Sequence, residues 1–131
     1  MNNKLSKILA EISAGELIDK ITILDIKKIK IKDSEKLQNI EAELLSLKIT
    51  FKKSIPDPSK IKSSIEKLKA INLKLWDIEE GKRLAEKNND FGNKFIELAR
   101  RVYKENDERA KIKLEINTIL GSNIKEVKSH Y

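Results

Sequence analysis

The chain has 131 residues, of which 39% are hydrophobic, 37% charged and only six aromatic (one Trp, two Tyr, three Phe). That length allows one aliphatic core but not two of useful size. With no Cys and a single His, His130, the composition excludes disulfides, thiolate and multi-histidine metal centres, and Cys nucleophiles.

Lys and Arg total 28 against 21 Asp and Glu, a net charge of +7. The excess is spread along the chain, and only four of the bases are Arg (Arg83, Arg100, Arg101 and Arg109). Arg, with its planar fork, is the better reader of phosphates and bases, so nucleic acid is not the expected partner. Lys4 and Lys7 precede Ile8-Leu9-Ala10, an apolar stretch too short for a signal peptide. No run approaches the roughly 20 apolar residues of a membrane span. The expected setting is cytoplasmic.

Four helical segments follow, over about 14–32, 34–53, 58–87 and 91–120, with a tail at 121–131. Ser13-Ala14-Gly15-Glu16 reads as a capping box opening the first. At 100° per residue Leu17, Ile18, Ile21, Leu24, Ile29 and Ile31 share one broad face. Ile23 and Ile26 fall on the other side, with Glu16, Asp19 and Lys30. A helix apolar on two sides needs two neighbours: another helix of the chain, or a second subunit meeting Ile23 and Ile26 in a homodimer.

Asp33-Ser34 breaks and recaps the chain. Leu37, Ile40, Leu44, Leu47 and Phe51 then repeat at steps of 3 and 4, a coiled-coil-like seam of two heptads. Ser54-Ile55-Pro56-Asp57-Pro58 is a loop ending as a helix start, with Asp57 as N-cap and Pro58 at the first helical position. The third helix repeats the stripe through Ile61, Ile65, Leu68, Ile71 (or Asn72), Leu75 and Ile78, with Trp76 beside it. Helices two and three therefore read as a central antiparallel hairpin. Gly81 lowers helix propensity locally and could mark a bend.

Asn88-Asn89-Asp90 ends the third helix, and Asp90 can cap the fourth. The last stripe runs Phe91, Phe95, Leu98, Ala99 and Val102, then Asn106, Ala110, Leu114 (or Lys113) and Asn117. Gly121 is the expected left-handed C-cap. Beyond it, Ile124, Val127 and Tyr131 are the residues available for packing. With no alternating strand pattern, the fold class is all-α: a single antiparallel bundle of about four helices, residues 1–131.

Three blocks of this sequence, with its ending, carry a resemblance. They are Glu11-Ile12-Ser13-Ala14-Gly15-Glu16-Leu17-Ile18-Asp19-Lys20-Ile21-Thr22-Ile23-Leu24, then Leu75-Trp76-Asp77-Ile78-Glu79-Glu80. The third runs from Phe95-Ile96-Glu97-Leu98-Ala99-Arg100-Arg101-Val102-Tyr103 through Asn106-Asp107-Glu108-Arg109-Ala110. With Gly121-Ser122 and the closing Lys-Ser-His-Tyr, the chain resembles, over about residues 11–131, an uncharacterised family of short bacterial helical proteins. The resemblance implies no reaction, cofactor or site. It implies at most an accessory role beside glycosyltransferase and cell-surface polysaccharide machinery. Gly81-Lys82, where the pattern has an acidic then an apolar residue, and the inserted His130 depart from it.

Two charged groups are candidate sites. Glu16, Asp19 and Lys20 in the first turns of helix one could hold a cation or move a proton. The same residues are also what a helix start uses to offset its dipole and form an i,i+4 pair. On helix four, Tyr103, Asn106, Arg109, Lys113 and Asn117 interrupt the apolar stripe. Arg109 and Lys113 could grip a small anion, with Tyr103 and Asn106 donating beside them. Alternatively the helix bends at Asn106-Asp107 and turns this face to water, leaving Asn117 as a buried register-setting residue.

No phosphate loop, nucleophile elbow, metal set or cofactor motif is present. The expectation is a non-catalytic interaction module, a homodimer with a protein partner. A small all-α binder or enzyme for an anionic metabolite is the first alternative, and electrostatic nucleic-acid binding the second.

Overall fold

The computed structural model describes residues 4–124 and Val127. Four α-helices make up most of them: α1 (Ala14–Lys30), α2 (Ser34–Ser54), α3 (Lys62–Lys87, preceded by a 3₁₀ turn at Ser59–Ile61) and α4 (Asn93–Leu120). There is no strand among the described residues. The expectations for His130 and Tyr131 lie outside them; Ile124 and Val127 are exposed.

The starts and stops follow local chemistry. The Glu16 amide donates to Ser13 Oγ at 3.1 Å, and the amides of Glu35 and Lys36 donate to Asp33 Oδ1 at 2.9 and 3.2 Å. Asp57 Oδ1 accepts from the Ser59 amide at 3.1 Å. The Ser59 hydrogen bonds hold the Asp57 carboxyl below the usual aspartate range, against a small opposing effect of desolvation. The chain enters α3 through the 3₁₀ turn, so Pro58 precedes the first helical residue rather than occupying it. Asn89, in the left-handed region at φ 54°, closes α3 as the Asp90 amide donates back to the Ala85 carbonyl at 2.8 Å. Gly121 closes α4 at φ 64°.

α1 is the centre of the bundle and packs on all three other helices. Its Leu24 joins Ile40 and Leu44 of α2, with Ile21, Ile31 and Leu47 around them. Its Ile18 enters the main core with Ile61, Leu68, Ile71, Ile112 and Ile116. Each such fully buried Leu or Ile contributes about 1.5–3 kcal/mol.

The central hairpin expected of helices two and three is not formed. α2 folds back on α1, α3 pairs with α4, and α2 and α3 make no close backbone approach. The seam on α2 fits α1 as well as it would have fitted α3, because a 3-4 stripe specifies a helix partner but not which one.

The second apolar side of α1 is met in part within the chain. Ile26 is buried beside Leu75 and Trp76 of α3, Ile23 stays partly exposed, and both line a groove between α1, α3 and α4. Ile29, expected on the buried face, is 70% exposed. α3 is continuous through Gly81, which lets Leu98 of α4 approach closely, and α4 is continuous through Asn106-Asp107.

Candidate functional site

The two charged groups singled out in the sequence meet each other. α1 and α4 run antiparallel, and Gly15 makes the close approach possible: a Cβ there would stand 2.5 Å from the Lys113 carbonyl oxygen and 3.0 Å from Asn117 Oδ1. The first turn of α1 is therefore pinned on α4, with the Gly15 amide donating to Asn117 Oδ1 at 2.6 Å and the Ala14 amide to Ser122 Oγ at 3.2 Å. Asn117 is fully buried, and its Nδ2 has no hydrogen-bond partner among the described residues.

One turn further along α1, Asp19 is buried to 1% exposure. Arg109 Nε donates to its two carboxylate oxygens at 3.0 and 3.1 Å, and Arg109 Nη2 donates to Oδ2 as well. Asn72 of α3 donates through Nδ2 to Asp19 Oδ1 and to Thr22 Oγ1, both at 2.8 Å. Thr22 in turn donates to the Asp19 carbonyl at 2.8 Å. Lys113 Nζ lies 3.8 Å from Asp19 Oδ2 and donates to Glu16 Oε2 at 2.7 Å, while Lys20 stands 3.6 Å from Glu16 Oε1.

Each carboxylate is thus matched by a cation, as burial of a charge requires. Glu16 accordingly completes only half of the expected capping box: its amide is capped by Ser13, but its carboxylate turns to Lys113 and Lys20. Of the helix-four candidates, Lys113 and Asn117 are buried and Arg109 is partly so, whereas Tyr103 and Asn106 face solvent. Asn106 Oδ1 is 3.5 Å from Arg109 Nη1, and Tyr103, 58% exposed, stands apart.

Asn72 and Thr22 belong to this cluster and were not expected there. The signal for Asn72 was its place in an otherwise apolar stripe; Thr22 gives none, since a helical Thr often bonds its own backbone.

Beside the cluster runs a groove of about 570 Å³ between α1, α3 and α4. Ile23, Ile26, Leu75 and Trp76 form its apolar part, and Glu79, Glu80, Arg83, Asn106 and Arg109 its polar edge. Arg109 is common to groove and cluster, and its interaction with Asp19 holds its guanidinium in place. Glu79 is engaged by Lys82 at 3.3 Å. This is a shape that can accept an apolar ridge flanked by charges of both signs.

Among the described residues no three His, Asp or Glu side chains are grouped to hold a metal ion, and no helix is long and apolar enough to cross a membrane. Comparison with known proteins gives a match to one family model, that of a family of unknown function, DUF6165, over residues 8–131. No curated protein and no solved structure matches the chain.

Proposed function

The chain belongs to DUF6165, a family of unknown function, and we propose that it is a non-catalytic, cytoplasmic helical module that docks an amphipathic helix in the Trp76 groove. The observation carrying this reading is the mutual neutralisation of Asp19 and Glu16 by Arg109, Lys113 and Lys20. It commits the most reactive side chains to holding α1 on α4. The groove then offers an apolar recognition surface: Trp76, Leu75, Ile23 and Ile26 can take the i, i+3, i+4 ridge of a partner helix.

Arg109 at the groove edge supports a second reading, a small anion drawn to its outer face. The single Trp decides between them. An amphipathic helical peptide should blue-shift Trp76 emission, while a dicarboxylate, a sugar phosphate and a nucleotide should leave it unchanged. A response to an anion alone, abolished by Arg109→Gln, would replace the docking reading with the anion one.

A further inference from the structure

We infer that the segment docked in the Trp76 groove is residues 4–12 of a second copy of this chain, folded on contact into a short amphipathic helix; this rests on the docking reading above. Leu5, Ile8, Leu9 and Ile12 fall at i, i+3, i+4 and i+7, the spacing of helix-in-groove anchors. They are 79%, 79%, 83% and 40% exposed, in a stretch without secondary structure before Ser13. Leu5, Ile8 and Leu9 bury little within the described chain, and Ile12 is covered only in part. Once helical, they would form one ridge.

The charges beside that ridge match the groove. On a helix Lys7 and Glu11 are one turn apart on one flank. Glu80 and Arg83, both exposed, are one turn apart along the α3 edge. Lys7 can therefore meet Glu80 while Glu11 meets Arg83.

The segment cannot serve its own groove. Ala10 and Ile12 lie beside Leu120, Gly121 and Ser122, at the start of α1. Ile12, one of the four anchors, is bonded directly to Ser13 at that start, while Ile23 stands about 14 Å further along the helix, so the four anchors cannot all enter the groove of their own chain. A second copy removes the mismatch, and exchange of the two segments makes the contact reciprocal, a two-fold dimer with two filled grooves.

Light scattering tests this on the full chain at tens to hundreds of micromolar. The wild type should have twice the 15.1 kDa mass of one chain. The doubly substituted Leu5→Glu, Leu9→Glu chain, altered only at exposed positions, should be a monomer of unchanged helicity. Lys7→Glu with Glu11→Lys should weaken the dimer at least tenfold, and adding Glu80→Lys with Arg83→Glu should restore it. A synthetic peptide of residues 4–13, added to the Leu5→Glu, Leu9→Glu chain, should blue-shift Trp76 emission. A monomeric wild type, or a dimer that survives Leu5→Glu with Leu9→Glu, overturns the inference. So does a segment that instead carries a monomeric chain onto anionic phospholipid vesicles. If an unrelated amphipathic helix moves Trp76 and the 4–13 peptide does not, the inference fails and the docking reading stands; if neither moves it, both fail.

Discussion

Asp19 and Arg109 are 90 residues apart in sequence, yet Arg109 Nε lies within 3.1 Å of both oxygens of the Asp19 carboxylate. Asp19 is the more deeply buried partner, at 1% side-chain exposure against 29% for Arg109. The pair links the central helix to the last, and Asn72 ties the same carboxylate to α3. One acidic side chain thus fixes the mutual placement of three helices.

Removing that carboxylate leaves Arg109 and Lys113 without their shared anion and Asn72 with a lost acceptor. Asp19→Ala should lower unfolding stability by roughly 3 kcal/mol, the lower end for a broken buried pair because Arg109 remains partly hydrated. Urea denaturation measures it, and a double-mutant cycle with Arg109→Ala should return a favourable coupling between the two positions.

Gly15→Ala sets two effects against each other. Ala improves helix propensity by up to about 1 kcal/mol, but the new methyl meets the Lys113 carbonyl at 2.5 Å, where backbone must move. Overpacking of this kind costs about 1–3 kcal/mol. The expected outcome is a lower Tm, read by circular dichroism, while Gly81→Ala, facing only the end of the Leu98 side chain, should cost less.

Asn117 accepts from the Gly15 amide with Oδ1, while its own Nδ2 has no partner among the described residues. Asn117→Ala should lose about 1–3 kcal/mol by leaving the Gly15 amide buried and unpaired. Amide exchange at Gly15 should accelerate more than exchange in α2, which is capped independently by Asp33.

Asp57 gives a pH signature confined to one turn. Its folded-state pKa is lowered by the Ser59 hydrogen bonds, so the carboxylate favours the folded turn above its unfolded value. That contribution is lost as pH falls through the lower folded value. Carboxyl NMR should find Asp57 titrating below the usual aspartate range, and Ser59→Ala should move it upward.

Much of the fold was legible because helix ends are written in short-range chemistry. Ser13, Asp33, Asn89 and Gly121 mark their boundaries by hydrogen bonds or backbone preferences that neighbouring residues decide. Which helix faces which is a longer-range matter. The stripes on α2 and α3 each suit any aliphatic partner, so periodicity joined them to each other when both in fact pack on α1.

On α4 the stripe continues from Ala110 to Leu114 or Lys113; Leu114 is 47% exposed, whereas Lys113 is buried, as are Ile112 and Ile116. The line facing α1 is taken by Arg109, Lys113 and Asn117, and the aliphatic line shifts toward α3 to suit. The candidate site residues were legible singly, as charges in odd places. That Asp19 and Arg109 neutralise each other depends on an antiparallel register that no local pattern encodes.

The Arg109 Nε–H resonance tests most directly whether these charges hold the fold or await a ligand. Titrated with a dicarboxylate and with inorganic phosphate, it should keep its chemical shift and remain protected from exchange by Asp19. A saturable shift, with the Asp19 carboxyl moving in step, would mean that an added anion displaces Asp19, and that the cluster is a binding site after all.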